Sequence, residues 1–206
     1  MGVFTFCIGL VAQGFFSARI LVQWLLSERS RKVLSPTVFW VFSLVGSVFM
    51  FYYGWLRDDF SIIFGQFLSF YIYIVNLHYK GVWEKVPLPL RWVMYAMPVA
   101  AAAATAHNAP LFVANFLKNS DVPMWLLVFG TVGQTVFACR FLYQIIYSVR
   151  RRESLLPSTF WVISLVGASM IFIYAIFRLD YILMLGQSFG IVAYSRDLMI
   201  GKKYKA

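Results

Sequence analysis

The sequence predicts an all-α integral membrane protein: seven transmembrane helices in a 3+1+3 parallel-repeat bundle. Three observations lead there. The 206 residues are 61% hydrophobic and only 13% charged, far outside the usual composition of a soluble domain. Apolar runs of the length needed to cross about 30 Å of hydrocarbon, about 20 residues, recur along the whole chain. The third observation is an internal repeat at an offset of 121 positions.

The apolar segments cover 3–26, 38–56, 60–77, 92–106, 122–147, 159–177 and 181–200. The first begins almost at Met1 with no basic stretch ahead of it, and reads as a transmembrane helix rather than a cleaved signal peptide. Pro36 and Pro157 open the second and sixth spans at the first-turn position, where a missing N–H costs nothing, and Ser35 offers a cap. Asp59 and Asp180 stand just before the third and seventh spans as N-caps beside a positive helix end; ion or proton coupling is their alternative role. The fourth span, with Pro98 and the run Ala101 to Ala104, is the shortest. The chain divides into a three-helix unit at 1–79, a linker with an inversion helix at 80–121, and a second unit with a basic tail at 122–206.

The net charge of +10 sits in short clusters between apolar runs, which excludes a nucleic-acid stripe. With the N-terminus outside, one face collects Arg29, Arg31, Lys32, Lys80, Lys85, Arg91, Arg150, Arg151, Arg152, Arg196, Lys202, Lys203 and Lys205. The other holds Arg57, Lys118 and Arg178. Thirteen basic residues against three orient the chain N-out and C-in, provided the fourth span crosses. Cys7 and Cys139 lack metal-ligand spacing and read as small core residues.

Shifted by 121, Gly9 to Leu77 aligns with Gly130 to Leu198 without a gap, with 27 identities in 69 pairs. Polar and aromatic residues are among them: Gln13 with Gln134, Arg19 with Arg140, Gln23 with Gln144, Phe39-Trp40 with Phe160-Trp161, and Tyr53 with Tyr174. Gly65-Gln66 repeats as Gly186-Gln187 and Tyr73 as Tyr194. Three helices per unit is an odd number, so two fused units would oppose each other unless an extra span intervened. The fourth helix supplies it. The halves become parallel repeats about an axis along the membrane normal, as in SWEET-type carriers, and chemistry on that axis comes in pairs.

Arg19 is expected about seven residues, or roughly 10 Å, inside the end of the first helix, a costly depth for a charge. Arg140 repeats it, and Gln23 and Gln144 follow one turn later on the same faces. Two fates are open to these arginines, snorkelling to headgroups or binding an anion or polar headgroup; their presence in both repeats favours the second. Gln66 and Gln187 each follow a glycine and read first as packing contacts. Ser43 and Ser164 lie at the depth of the arginines, and Gln13 and Gln134 two turns earlier on the first helices. Tyr73 and Tyr194 read equally as interfacial aromatics or as cavity lining. His78 and His107 are placed in loops, and nucleophile-base pairs, metal sets and phosphate loops are absent from the sequence, so neither catalysis nor a cofactor is expected.

The twice-repeated string F-W-x-x-S-L-x-G, then Tyr, Asp, G-Q and Tyr, resembles the lipid A biosynthesis N-terminal (LAB-N) family in two tandem copies. It runs from Phe39 to Gly46, through Tyr53, Asp59, Gly65-Gln66 to Tyr73, and again from Phe160 to Gly167, through Tyr174, Asp180, Gly186-Gln187 to Tyr194. The second copy ends Tyr194-Ser195-Arg196-Asp197-Leu198, close to the family's Y-x-R-N-L. The first ends Tyr73-Ile74-Val75-Asn76-Leu77, without the arginine but with the asparagine. The resemblance implies the wider PQ-loop and SWEET-like group and a setting in glycolipid metabolism at the bacterial inner membrane. The family is named for fusion of such modules to lipid-A-disaccharide synthase. Membrane helices use up this chain, so glycosyl transfer is not expected of it.

Three functions follow as expectations. The first is a transporter or flippase for an anionic phospholipid or polyprenyl-phosphate-linked sugar. In it Arg19 and Arg140 receive phosphate through their bidentate forks, and Gln13, Gln134, Gln23, Gln144, Ser43, Ser164, Gln66, Gln187, Tyr73, Tyr194, Asn76 and Asp197 serve the polar headgroup. The second is a non-catalytic membrane partner of a lipid glycosyltransferase. The third is a SWEET-like facilitator of small neutral solutes, which deep arginines fit poorly. Asp197, facing Asn76 across the repeat, is expected to neutralise one arginine and leave the other for ligand.

Overall fold

A computed structural model describes residues 2–31, 33–107, 110, 113–114, 122–151 and 156–203. Lys32, Lys118, Arg152 and Lys205, counted above for orientation, lie outside the described residues. Among the described residues there are seven α-helices and no strand: α1 Val3–Ser30, α2 Thr37–Leu56, α3 Phe60–Tyr79, α4 Leu88–His107, α5 Met124–Arg151, α6 Ser158–Phe177 and α7 Tyr181–Lys203. A short 3-10 turn, Trp83–Lys85, precedes α4. Helices α1, α2, α3, α5 and α6 are long and apolar enough to span a membrane.

Boundaries differ from the hydropathy reading where polar residues extend a helix beyond its apolar part. α1 runs on to Ser30 and α5 to Arg151, each 28 residues. Arg19 therefore lies eleven residues from the helix end, about 16 Å rather than 10 Å. Pro36 and Pro157 sit one residue outside their helices, as extended N-cap residues with no side-chain cap bond. Ser35 accepts from Trp40 Nε1 at 3.1 Å. His78 and His107 close α3 and α4 rather than lying in loops. α4 is 20 residues long, as long as α2.

Six helices form a closed ring. α1 packs on α2, α2 on α3, α3 on α5, α5 on α6, α6 on α7, and α7 back on α1. Each unit's third helix thus meets the first helix of the other unit, which makes two seams, α3–α5 and α1–α7. α4 stands beside the ring: Tyr71 Oη donates to the Tyr95 carbonyl at 3.1 Å and Trp83 Nε1 to Tyr95 Oη at 2.6 Å. Cys7 and Cys139 are exposed on the outside of the ring and not in its core, because the apolar outer face of a membrane helix suits a thiol as well as the interior does.

Two apolar layers fill the ring. One is aromatic and symmetric by repeat, with Phe39, Trp40, Tyr73, Phe160, Trp161 and Tyr194 buried. The other centres on Met50, Tyr53, Ile62, Ile171, Tyr174 and Ile182. The α2–α3 and α6–α7 turns share a conformation: Asp58 and Leu179, 121 positions apart, both adopt positive φ, 49° and 48°. The following residues, Asp59 and Asp180, then donate backbone N–H to Gly54 and Ala175 carbonyls at 2.9 Å each.

Candidate functional site

Between the two layers lies a polar cavity of about 40 Å³ on the axis of the ring. Its lining comes in repeat pairs: Gln13 and Gln134, Arg19 and Arg140, Gln66 and Gln187, Tyr73 and Tyr194. Eight of the sequence-nominated residues are therefore brought together.

The arginines point inward. Arg19 is 3% and Arg140 2% exposed, the opposite of snorkelling. Each guanidinium rests on aromatics from its own unit. Arg19 Cζ is 4.5 Å from the Phe16 ring centroid and 5.1 Å from that of Phe39. Arg140 Cζ is 3.2 Å from Phe137 and 5.8 Å from Phe160, their repeat equivalents. Such boxes stabilise a desolvated cation without neutralising it. Hydrogen bonds break the symmetry. Arg19 Nη1 donates to Ser43 Oγ at 2.7 Å and Tyr73 Oη at 3.5 Å, whereas Arg140 Nη1 donates to the Phe137 carbonyl of its own helix at 2.6 Å. Ser43 and Ser164 each donate back to a carbonyl one turn earlier, Phe39 and Phe160, at 2.5 and 2.6 Å. Among the described residues Arg19 Nε and Gln66 Oε1 are buried with no hydrogen-bond partner.

The glycines of the G-Q motif have a specific use across the seams. The Gln13 amide of α1 lies against Gly186 of α7, and the Gln134 amide of α5 against Gly65 of α3, where any Cβ would overlap it. The small residue admits the glutamine of the other unit.

Four other nominated residues, Gln23, Gln144, Asn76 and Asp197, do not line the cavity. Gln23 Nε2 donates to Ser27 Oγ at 3.0 Å, to Asp197 Oδ1 at 3.2 Å and to the Leu34 carbonyl at 3.4 Å. Gln144 Nε2 donates to Ser148 Oγ at 3.0 Å, and Asn76 Nδ2 to the Ile72 carbonyl at 2.9 Å. Asp197 thus sits on Gln23 at the α1–α7 seam, and the expectation that it neutralises an arginine is corrected: its hydrogen bond among the described residues is to an amide one turn beyond Arg19.

Asp59 and Asp180 cap their helices, accepting from Ile62 N at 3.2 Å and Leu183 N at 3.0 Å. They also bind across the ring. Tyr174 Oη donates to Asp59 at 2.7 Å, with Arg178 Nε at 3.4 Å; Tyr53 Oη donates to Asp180 at 2.8 Å, with Arg57 Nε at 3.4 Å. These reciprocal Tyr–Asp–Arg latches tie the halves together at the α2–α3 turn end. Sequence reasoning passed over Phe16 and Phe137 beneath the guanidinia and Arg57 and Arg178 in the latches, although each is an identity in the repeat.

The family described as Lipid A Biosynthesis N-terminal domain matches residues 8–78 and 129–199, two copies whose starts differ by the same 121 positions as the repeat. The chain belongs to the LAB-N family. Its two matched copies contain every cavity-lining pair and both latches. The LAB-N chain is similar to proteins called lipid-A-disaccharide synthase: 28% identical in Chlamydia abortus over 94% of this chain and 32% of that protein, and 29% identical in Chlamydia muridarum over 95% and 34%. The relative in Chlamydia pneumoniae is 26% identical over 82% of this chain and 29% of its own length. The chain spans about a third of the length of these curated relatives. No solved structure matches it.

Proposed function

We propose that this LAB-N chain is a multi-pass carrier that takes the anionic headgroup of a lipid-linked sugar or phospholipid into the axial cavity and moves it between leaflets in lipid A or envelope glycolipid metabolism. The setting is suggested by the family and by the relatives' name. One observation carries the reading: two desolvated guanidinia on repeat-related aromatic boxes face one cavity, with paired amides and phenols beside them. That donor-rich lining suits phosphate and hydroxyl oxygens, and the pairing suits a carrier whose halves rock about the site.

The cavity of about 40 Å³ has room for about three waters, so the halves must part to admit a headgroup. In this reading α4 and α7 also cross, completing seven spans in a 3+1+3 arrangement with the N-terminus outside the bacterial inner membrane and the C-terminus in the cytoplasm.

The test is flipping of fluorescent phosphatidylglycerol in proteoliposomes of the purified chain, read by dithionite quenching, with fluorescent glucosylceramide as the neutral control. Arg19→Gln and Arg140→Gln each lower the phosphatidylglycerol rate by about tenfold or more, with the Lys variants between, since a charge-assisted bond is worth about 1.5–3 kcal/mol. Wild-type rates from both Gln variants would refute the site.

A second reading has one supporting observation. The matched part is about a third of relatives called lipid-A-disaccharide synthase, which fits a membrane partner that presents lipid to a glycosyltransferase. Co-purification of such an enzyme with this chain, together with flipping by the wild-type proteoliposomes no faster than by empty vesicles, would favour it.

A further inference from the structure

The α1–α7 seam holds a polar cluster that the cavity does not use. Asp197 and Gln23 are both fully buried there, at 0% exposure, and share one hydrogen bond from Gln23 Nε2 to Asp197 Oδ1. Among the described residues the other oxygen of each, Asp197 Oδ2 and Gln23 Oε1, is buried without a hydrogen-bond partner. Two orphaned acceptors on two side chains already joined at one point lack a single donor. One proton supplies it, because a carboxylic acid and a primary amide can form a closed ring of two hydrogen bonds, O–H to amide oxygen and amide N–H to carbonyl oxygen. An ionised carboxylate leaves both acceptors unsatisfied and buries a charge, a costly state.

The repeat provides an internal comparison. At the α3–α5 seam the position of Asp197 is taken by Asn76, the uncharged isostere of a protonated aspartic acid, while Gln144 occupies the position of Gln23. Asn76 Nδ2 donates to its own helix there. The same fold therefore accommodates a neutral group at this place. The charged neighbours of Asp197 do not substitute for the proton. On α1 the nearest is Glu28, which holds Arg196 of α7 in a bidentate pair at 2.6 and 3.1 Å. α6 carries no Asp, Glu, Lys, Arg or His over its 20 residues, and neither does the segment Val33 to Pro36.

We propose that Asp197 and Gln23 form a proton-binding site that holds the α1–α7 seam closed, and that loss of the proton opens this seam while the Asn76 seam stays shut. The proton leaves Asp197 Oδ2 for water entering the parted seam, the hydrogen bonds between Gln23 and Asp197 part with it, and no other covalent bond changes. The site makes access to the cavity depend on proton activity whatever headgroup the cavity takes.

The experiment uses the full chain in nanodiscs without added lipid substrate, Cys7 and Cys139 replaced by Ala, and spin labels at the repeat-equivalent pairs Arg29/Met199 across α1–α7 and Arg150/His78 across α5–α3. Distance distributions are recorded from about pH 5 to 9. At α1–α7 the ratio of long to short distances is expected to rise about tenfold per pH unit, the slope of a single proton, until it saturates. Asp197→Asn, tolerated at position 76, abolishes the dependence and holds the short distance. Asn76→Asp adds the same dependence at the α5–α3 pair while the α1–α7 pair keeps its own. Infrared difference spectra between acid and alkaline buffer lose one protonated-carboxyl band in Asp197→Asn. A wild-type seam indifferent to pH, the same titration in Asp197→Asn, or an unchanged carboxyl band would each overturn the proposal.

Discussion

The repeat pairs Gly46 with Gly167, and symmetry alone assigns both glycines the same cost of replacement by alanine. The packing does not. A Cβ at Gly167 would lie 2.8 Å from the backbone N and Cα of Phe137, whereas one at Gly46 would meet the Phe16 ring at 2.9 Å and Phe15 Cβ at 3.1 Å. Ordinary contact begins at 3.4 Å, so each site must yield by roughly half an ångström. At Gly46 a ring turns. At Gly167 the backbone of α5 must retreat from α6, and a packed helix pair resists that along its whole contact. Overpacking costs about 1–3 kcal/mol, and alanine returns about 1 kcal/mol of helix propensity at either site. Gly167→Ala is therefore expected to cost about 2 kcal/mol net and Gly46→Ala about zero. Reversible unfolding of each variant in mixed micelles measures the difference. Equal losses, or the larger loss at Gly46, would refute the distinction between ring and backbone.

Two further predictions concern the latches and the topology. Tyr53→Phe and Tyr174→Phe each remove a donor from a buried carboxylate and should cost about 1.5–3 kcal/mol apiece, equal by symmetry; the same unfolding assay checks this, and neutral substitutions would deny the latches a structural role. Single cysteines at 118 and 151, in a background without Cys7 and Cys139, should react with an impermeant maleimide from opposite faces; labelling from one face would mean that α4 does not cross and that the parallel-repeat arrangement fails.

How much was legible follows from what a repeat can report. An offset of 121 identifies which residues are equivalent, and so it nominated Arg19, Arg140 and the glutamine and tyrosine pairs. Burial of the arginines was favoured over snorkelling because both repeats carry them, and the sequence left both fates open. Which residues touch across the seams was not legible, since it depends on the ring closing α3 onto α5 and α7 onto α1. For that reason Gly186 was read as generic packing when it admits Gln13 of the other unit, and Asp59 as a cap or a coupling site without its cross-ring partners Tyr174 and Arg178. Helix ends were misplaced where hydropathy fades into polar residues that continue the helix, as from Leu26 to Ser30.

The arginine pair itself can be made to tell a ligand site from a structural tie. Arg19 and Arg140 Cζ lie 6.0 and 4.2 Å from the Phe141 centroid, which puts them at most about 10 Å apart. Two unit charges at that separation repel by about 1.5 kcal/mol or more at an effective dielectric of 20. Among the described residues the hydrogen bonds of both go to neutral oxygens, Ser43, Tyr73 and the Phe137 carbonyl, so nothing acidic offsets the repulsion. The folded chain thus holds two like charges against a cost that an anion between them would relieve from both sides. Arg140→Gln removes the repulsion and a desolvation cost while losing a cation–π contact of about 0.5–2 kcal/mol, and stability should stay within about 1 kcal/mol of wild type. A structural tie behaves differently, since removing a guanidinium that holds neighbouring groups leaves its buried partners unsatisfied at about 1–3 kcal/mol each. Unfolding with and without phosphatidylglycerol separates the cases: the ligand reading requires near-native stability without the lipid and a loss of most lipid-induced stabilisation with it. A collapse in stability with lipid stabilisation intact would make Arg140 a tie and leave the cavity without its anion site.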